Sequence, residues 1–496
     1  MSQITRRKFL GQVAGAAAAA SLARGATAPA PARRRNVLFF MSDDMRVEIG
    51  CYGSIFGAIT PTLDALAKTS VRFDRNYCQF PICNPSRTSL MTCRRPTQTG
   101  VLGNGVNFRN VHPELVTLPQ YFKQNGYVTA RAGKIFHGGM DDPEAWTVGH
   151  DWVDGPGGAG GRTLEIPPGE TPPMPSYDLP PLPGDVRQAP ESDRIVVLDG
   201  VGEGHPDYHT VGQTIQYLRA YRNQPFFIGC GFVKPHSPPC APQSMLDLYD
   251  VSKIKLTPDF AAWPTVPPGI PSAAIRKLNA DLFIGRGATE AEAREVIRAY
   301  LASISWTDWN MGHVLAELDR LGLRDNTVIV FVADHGYQLG EKGKWSKAGS
   351  LFEMGTRVPL FICDPAARGN GEACFRTVES LDIFPTLVEL CGLPQPAGLE
   401  GVSLAPLLDN PAAPWDRPAY SVWSEDGRTL HGVAVRTEKW RYAEFGPDGK
   451  NGAMLFDPVA DPLELRNLAE NPAHRAVCAE LSALTRQYAA SLGVTA

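Results

Sequence analysis

Short apolar runs alternate with amphipathic stretches along most of this chain. The run at 36–41 is almost wholly apolar and ends in Ser42, Asp43 and Asp44, which is typical of a central strand covered on both faces. Similar runs follow at 126–130, 225–229, 327–332 and 358–362. Together they predict the strands of one large sheet.

Helical periodicity separates these strands. It is strongest from about Glu290 to Leu321, and segments 60–67 and 118–125 predict two shorter helices. Because apolar strands alternate with helices, we expect an α/β fold in which helices sandwich a large, mostly parallel sheet.

The pattern changes from about Gly398. Short alternating strands are predicted at 420–423, 431–436 and 439–443, and a closing helix at 473–491. We therefore expect a main domain over residues 33–397 and a small C-terminal α+β domain with an antiparallel sheet over 398–496.

Glycine and proline are abundant, at 48 and 43 residues, and they concentrate in the stretches 150–206 and 258–271. Such long connections inside a compact domain predict functional loops, which we interpret as walls of a substrate cleft. The alternative is that they are passive insertions.

The first residues carry an export pattern. Arg6, Arg7 and Lys8 precede a small-residue run at 13–20 and an Ala-Thr-Ala segment at 26–28. This order predicts a twin-arginine-type signal peptide over residues 1–32, since the run has no polar face for an amphipathic helix. We expect a bacterial periplasmic or secreted protein that uses the twin-arginine export machinery. No later segment is long and apolar enough to predict a membrane anchor.

Composition excludes several other classes. With 43% hydrophobic residues, 20% charged residues and a net charge of -4, the chain is typical of a globular protein and gives no sign of nucleic-acid binding. The ten cysteines show no zinc-like C-x-x-C spacing. Cys363 and Cys374 flank a glycine-containing loop, and their pairing stays open.

The most reactive feature predicted is Cys83, within the stretch 81–92. Pro85 suits a first helical turn, so Cys83 is expected at a helix N-terminus, where unpaired N–H groups favour an anion. Arg87, one turn later, can point back at the same spot. The alternative is a buried structural thiol beside a surface arginine.

Two predicted strands end in acidic residues. Asp43 and Asp44 follow the first strand, and Asp334 and His335 follow the strand at 327–332. Ligands bind at the carboxyl ends of strands in open α/β sheets. The two strand ends together therefore predict a site for a hard divalent cation with mainly oxygen ligands, although each pair alone would suit a turn or a helix cap.

The stretch around Cys83 resembles the C-x-P-S-R signature of type I sulfatases in the alkaline-phosphatase superfamily. Segment 126–137, which contains Lys134 and His137, is similar to the second signature of that family. The order of the motifs also matches, and it ends with Lys234-Pro235-His236, Asp334-His335, Lys347 and the turn at 461–468. Segments 50–53, 94–96, 334–336 and 340–341 are most similar to the iduronate-2-sulfatase branch.

The resemblance implies that a formylglycine-generating maturation enzyme oxidises Cys83 and that the hydrated aldehyde is the nucleophile. It also implies a metal site of Asp43, Asp44, Asp334 and His335, in which the cation, Ca²⁺ or alternatively Mg²⁺, also holds the modified Cys83 side chain.

It further implies roles for five other side chains. Arg87 and Lys134 would hold the nucleophile, and Lys347 the sulfate. His236 would protonate the leaving alkoxide, and His137 would take the proton that releases sulfate.

The implied activity is hydrolysis of an O-sulfate ester on a sulfated carbohydrate. A phosphonate monoester or phosphodiester hydrolase is the alternative, and a catalytically silent carbohydrate-binding relative is a third hypothesis. Arg94 and Arg95 are candidate contacts for a uronate carboxylate. Asn84, Cys93 and Tyr337 depart from the residues usual in the family.

Overall fold

The computed structural model of the protein describes residues 34–149, 176–178 and 194–491. The predicted signal peptide at 1–32, and most of the Gly/Pro-rich stretch between 150 and 193, lie outside the described residues. No helix in the described part of the chain combines the length and apolar character needed to cross a membrane.

A strand forms at each apolar run predicted for the main sheet, and several further strands form where none was predicted. In chain order they are β1 (Asn36–Asp43), β2 (Val71–Tyr77), β3 (Val128–Gly133), β4 (Ser176–Asp178), β5 (Arg194–Leu198), β6 (Phe226–Pro235), β7 (Cys240–Pro242), β8 (Thr327–Ala333), β9 (Arg357–Val358), β10 (Leu360–Cys363), β11 (Ala373–Glu379), β12 (Ala419–Trp423), β13 (Gly432–Arg436), β14 (Arg441–Phe445) and β15 (Ala453–Phe456).

The helices include the long one expected in the middle of the chain. They are α1 (Pro61–Ala67), α2 (Cys83–Thr92), α3 (Pro96–Thr99), α4 (Phe108–Val111), α5 (Leu118–Gln124), α6 (Pro206–Tyr221), α7 (Gln243–Leu246), α8 (Glu290–Arg320), α9 (Glu353–Thr356), α10 (Ile383–Leu390), α11 (Ala405–Asp409) and α12 (Arg475–Ser491).

The main sheet has the order β11-β2-β10-β8-β1-β6-β3, with β9 paired to β2. β1 lies between β6 and β8 and is parallel to both, as predicted. Only β9 and β10 run against their neighbours in this sheet. The single strand expected at 358–362 was wrong, because Pro359 separates β9 from β10 and has no N–H to donate to a ladder.

Both faces of the main sheet are buried. In β1, Leu38 and Phe40 join a core with α8, whereas Val37, Phe39 and Met41 join a second core with α2, α5 and α10. The residues of α8 reach the first core at helical spacing, as the sequence predicted. The sheet is thus the middle layer of three, which fixes where its strand ends lie.

The C-terminal region carries a separate antiparallel sheet of β12, β13, β14 and β15. Three of its strands and α12 were predicted. β15 was missed because its sequence, Ala-Met-Leu-Phe, is apolar throughout and shows no alternation. From Arg35 onward the chain forms one compact unit, so the domain boundary at 397 stays a prediction.

All ten cysteines are free thiols. Cys363 and Cys374 are both buried, and the Cys374 thiol donates to the carbonyl of Pro411 at 3.3 Å. The disulfide between Cys363 and Cys374, which the sequence left open, is therefore not formed.

Candidate active site

Parallel strands of the main sheet deliver polar residues to one edge. β1 ends at Asp43, β8 ends just before Asp334, β6 just before His236 and β3 just before Lys134. Carboxyl ends of parallel strands share an edge, so these residues meet although they are far apart in sequence.

The backbone of Asp44 is held in an unusual conformation. Its φ of 63° lies in the left-handed region, which costs free energy for a non-glycine residue. The Tyr300 hydroxyl donates to the Asp44 carbonyl at 2.6 Å, and the Asp44 N–H donates to Asp334 Oδ1 at 3.2 Å. These bonds fix the turn that presents Asp44 to the site.

Cys83 begins α2, as the sequence predicted, and its side chain is only 1% exposed. Its Sγ donates to Asp43 Oδ1 at 3.3 Å and lies 3.2 Å from His335 Nε2. Burial and Asp43 raise the pKa of the thiol, but the ammonium groups of Lys347 and Lys134 outweigh them, and the pKa is lowered.

His335 faces the cluster through one defined nitrogen. Its Nδ1 donates to the Gly336 carbonyl at 2.9 Å, which leaves Nε2 directed at the acidic groups. Nε2 lies 3.4 Å from Asp44, 3.5 Å from Asp334 and 3.8 Å from Asp43. Burial lowers the pKa of His335, but Asp334 and Cys83 raise it to about 10. A second nitrogen bonded to a carbonyl is typical of metal-ligating histidines.

The donor set fits a hard divalent cation. Ligand atoms of Asp43, Cys83, Asp334 and His335 lie within 4.8 Å of one another, and those of Asp43, Asp44, Cys83 and His236 do the same. Asp44 Oδ1 is buried and makes no hydrogen bond, although a buried carboxylate oxygen normally has a partner. Apart from Cys83, each set offers two carboxylates and one imidazole, and this predominance of oxygen suits Ca²⁺ or Mg²⁺.

Three cations surround these carboxylates. Arg87 Nε donates to Asp334 Oδ2 at 2.8 Å, and Lys134 Nζ donates to Asp43 Oδ2. Lys347 Nζ donates to Asp44 Oδ2 at 2.9 Å. Burial raises the pKa of Asp43, but Lys134 and Arg87 hold it well below its usual range. Arg87 and Lys134 thus orient the carboxylates beside Cys83.

The two histidines expected to move protons lie at the same edge. His236 Nδ1 donates to the Ser237 carbonyl at 2.7 Å, so Nε2 is the nitrogen left for chemistry. Burial and the ammonium of Lys134 lower the pKa of His137 to about 4, which keeps its ring neutral near pH 7. His137 Nδ1 is buried without a hydrogen-bond partner.

Sequence reasoning missed some site residues and misplaced another. Asp281 Oδ1 lies 3.1 Å from Lys347 Nζ, yet no motif marks Asp281. Tyr300 lies on α8, and no motif marks its hydroxyl, which donates to Asp44. Arg95, proposed as a uronate contact, is instead buried and donates through both Nη atoms to Glu379 at 2.6 and 2.7 Å.

All three residues that depart from the family pattern make side-chain hydrogen bonds in the structure. The Asn84 amide donates to the carbonyls of Val106 at 2.7 Å and Gly103 at 3.2 Å, which ties the start of α2 to a neighbouring loop.

Cys93 ends α2 at a φ of 51°, where glycine is favoured, and its Sγ donates to Leu381 and accepts from the Gly401 N–H, both at 3.2 Å. Tyr337 stacks on Tyr300 with ring centroids 5.9 Å apart and donates to the Trp345 carbonyl.

Comparisons with known proteins agree with this site. The sulfatase family model matches residues 35–393, and a model described as N-sulphoglucosamine sulphohydrolase, C-terminal, matches residues 340–490. Mouse iduronate 2-sulfatase is 30% identical over 88% of this chain and 91% of its own length. A choline-sulfatase from Rhizobium meliloti is 31% identical over 88% of this chain and 83% of its own length.

A solved structure extends the likeness to the fold. The phosphonate monoester hydrolase of Agrobacterium radiobacter superposes with a TM-score of 0.71 at 22% identity, covering 92% of this chain and 96% of its own. At that identity the likeness concerns the fold alone. The family match spans most of the chain and includes Cys83, Lys134, Asp334 and Lys347. This chain therefore belongs to the sulfatase family of the alkaline-phosphatase superfamily and is a sulfuric ester hydrolase.

Proposed function

We propose that this enzyme removes an O-sulfate group from a sulfated carbohydrate, using a formylglycine made from Cys83. The observation that carries the proposal is a buried thiol at a helix N-terminus. Its sulfur lies 3.3 Å from Asp43 and 3.2 Å from His335, among carboxylate oxygens that could ligate a metal. A thiol sulfated directly would be a stable adduct, so an unmodified cysteine would turn over slowly.

The proposed modification solves that difficulty. A hydrated aldehyde at position 83 offers one hydroxyl for attack on sulfur and a second whose deprotonation releases sulfate and restores the aldehyde. The core Cys83-x-Pro85-x-Arg87 that a formylglycine-generating enzyme reads is intact.

The proposed metal is Ca²⁺, with Mg²⁺ as the alternative. Asp43, Asp44, Asp334 and His335 would hold it beside residue 83. When bound, it would neutralise charge that develops on the sulfate oxygens and lower the pKa of a nearby hydroxyl.

The remaining side chains have distinct tasks. Arg87 and Lys134 keep Asp43 and Asp334 oriented toward residue 83, and Lys347 offers an ammonium to the sulfate. His236 donates a proton from Nε2 to the leaving alkoxide. His137, neutral near pH 7, accepts the proton whose loss expels sulfate.

A carbohydrate substrate is supported by names among the relatives. Mouse iduronate 2-sulfatase and the N-sulphoglucosamine sulphohydrolase model both refer to sulfated sugars. The choline-sulfatase relative has a similar identity, so overall similarity does not select the sugar.

We further propose export by the twin-arginine route to the periplasm or medium, on the strength of Arg6 and Arg7.

Two measurements test the proposal. Mass spectrometry of the Cys83 peptide should show the aldehyde, and an unmodified thiol in active enzyme would overturn the mechanism. A panel of defined sulfated disaccharides, choline sulfate and an aryl sulfate should show fastest turnover on a disaccharide. Turnover of choline sulfate without release of sulfate from any sugar would overturn the carbohydrate assignment.

A second candidate is hydrolysis of phosphonate monoesters or phosphodiesters. It is supported by the shared fold of the Agrobacterium radiobacter enzyme and by the Lys347 ammonium, whose charge suits a phosphonate or phosphodiester anion as well as a sulfate ester. Parallel kinetics on sulfate, phosphonate and phosphodiester versions of one aryl leaving group separate the two candidates.

A further inference from the structure

The Lys347 ammonium lies between two carboxylates. Its Nζ is 2.9 Å from Asp44 Oδ2 and 3.1 Å from Asp281 Oδ1. The other oxygen of Asp281 accepts the backbone N–H of Lys347 at 3.4 Å. Asp281 therefore binds both ends of Lys347, and both side chains are nearly inaccessible to solvent.

The segment that carries Asp281 is fastened to the segment that carries Lys347. Lys344 Nζ donates to the carbonyls of Arg276 at 3.2 Å and Leu278 at 3.0 Å. Asn279 Oδ1 accepts the Trp345 N–H at 2.9 Å. These bonds hold residues 276–282 against residues 343–347, so the Asp281 carboxylate has little freedom to move.

An ammonium group has three N–H donors. Two of those of Lys347 are used by Asp44 and Asp281, and a roughly tetrahedral nitrogen then leaves the third in one fixed direction. Without Asp281, Lys347 would be drawn toward Asp44 alone, and its charge would shift away from the position that it holds beside Cys83. Lys347 lowers the pKa of Asp281 although burial raises it, which keeps the carboxylate ionised.

We propose that Asp281 is a positioning residue that fixes the Lys347 ammonium for binding the sulfate group of the substrate. This inference rests on the proposed function, in which Lys347 contacts sulfate. It assigns no proton transfer to Asp281, because the carboxylate acts only through the lysine.

The test is a double-mutant cycle on the full-length matured enzyme. Asp281→Ala should lower kcat/KM for an aryl sulfate by about 10- to 100-fold, mainly through KM, and should weaken inhibition by inorganic sulfate. Asp281→Asn, which keeps an oxygen acceptor, should recover part of the loss. Combining Asp281→Ala with Lys347→Ala should cost no more than Lys347→Ala alone.

Losses that multiply in the double variant would overturn the proposal, as would an Asp281→Ala loss confined to kcat. If Asp281→Ala does not fold, Asp281→Asn combined with Lys347→Ala carries the same test, because the amide is nearly isosteric with the carboxylate. Formylglycine content is measured in every variant, so that incomplete maturation is not mistaken for lost positioning.

The matched control is Glu464→Gln. Glu464 is a buried carboxylate that pairs with Arg441 at 3.0 Å, but it touches no residue assigned to the reaction. Its kcat/KM should stay within about twofold of wild type. The cycle uses the ester that the wild type hydrolyses fastest. If that ester is not a sulfate, the proposed function is wrong, but the coupling between Asp281 and Lys347 can still be measured.

Discussion

Two buried ionic clusters in this protein are built differently. The first surrounds Cys83 and contains Asp43, Asp44, Asp334 and Asp281, against Arg87, Lys134 and Lys347. The second joins the main sheet to the C-terminal sheet. There Glu353 pairs with Arg436 at 3.0 Å, Glu464 pairs with Arg441 at 3.0 Å, and the Glu353 N–H donates to Glu464 at 2.8 Å.

The difference lies in the ligand atoms that each cluster brings together. The second cluster pairs two carboxylates with two guanidinium groups, which are not metal ligands. The first brings ligand atoms of Asp43, Cys83, Asp334 and His335 within 4.8 Å of one another, and no such group occurs in the second cluster among the described residues. The comparison thus separates a cluster of ion pairs that joins two sheets from one whose donor set fits a metal ion.

The largest difference between the two clusters is expected from Cys83→Ala, in the first cluster. Loss of the nucleophile should lower kcat by about 10⁴-fold or more, whereas the far-ultraviolet circular dichroism spectrum should not change. The measurement is sulfate release under saturating aryl sulfate. Residual activity within tenfold of wild type would show that the first cluster does not act through residue 83.

The second cluster should respond in stability instead. Glu353→Ala leaves the Arg436 guanidinium buried beside Tyr77 without its carboxylate, which should cost about 3–5 kcal/mol of unfolding free energy. Urea unfolding measures this loss. At temperatures where the variant stays folded, kcat should be close to that of wild type, and a fall in kcat as large as that of Cys83→Ala would remove the distinction between the clusters.

Calcium should stabilise only through the first cluster. A concentration about 100 times the dissociation constant should add about 2.7 kcal/mol, measured as a rise in Tm over a chelator-treated sample. Asp334→Asn should abolish the rise, and Glu464→Gln should retain it. An equal rise in the Asp334→Asn variant would place the cation elsewhere.

The smallest expected effect is a pH dependence in the second cluster. Burial raises the pKa of Glu464 from 4.5 to about 7, with Glu353 adding to the rise and Arg441 opposing it. The native state therefore holds this proton more tightly than the unfolded chain, and the resulting stabilisation is complete below about pH 4.5 and lost as pH rises through 7. Between pH 5 and 8, Tm should fall by a few degrees more in wild type than in Glu464→Gln. Equal falls in Tm for wild type and Glu464→Gln would contradict the raised pKa of Glu464.

The sequence predicted that Asp43, Asp44, Asp334 and His335 would meet, because they follow strand ends, and the structure brings them together. Asp43 and Asp334 each follow a strand whose apolar residues mark it clearly, and the order of a parallel sheet brings such ends together. Cys83 was predicted at a helix start because Pro85 marks the first turn, and α2 begins there.

Residues placed by tertiary packing could not be predicted in this way. Asp281 lies in an irregular loop, and its contact with Lys347 depends on hydrogen bonds that fasten two loops together. Tyr300 reads as a core position of α8, and only packing shows that its hydroxyl reaches Asp44. Arg95 was misplaced because local sequence does not reveal its partner Glu379, which lies 284 residues away.

The distance in sequence between Cys83 and His335 also sets the time during which Cys83 stays accessible in synthesis. A ribosome that adds roughly 5–20 residues per second needs about 10–50 s to proceed from Cys83 to His335. Until then the pocket that makes Cys83 1% exposed cannot close. The proposed maturation enzyme therefore has an interval of tens of seconds in which the thiol is still on an open chain, and a slower modification would have to compete with folding.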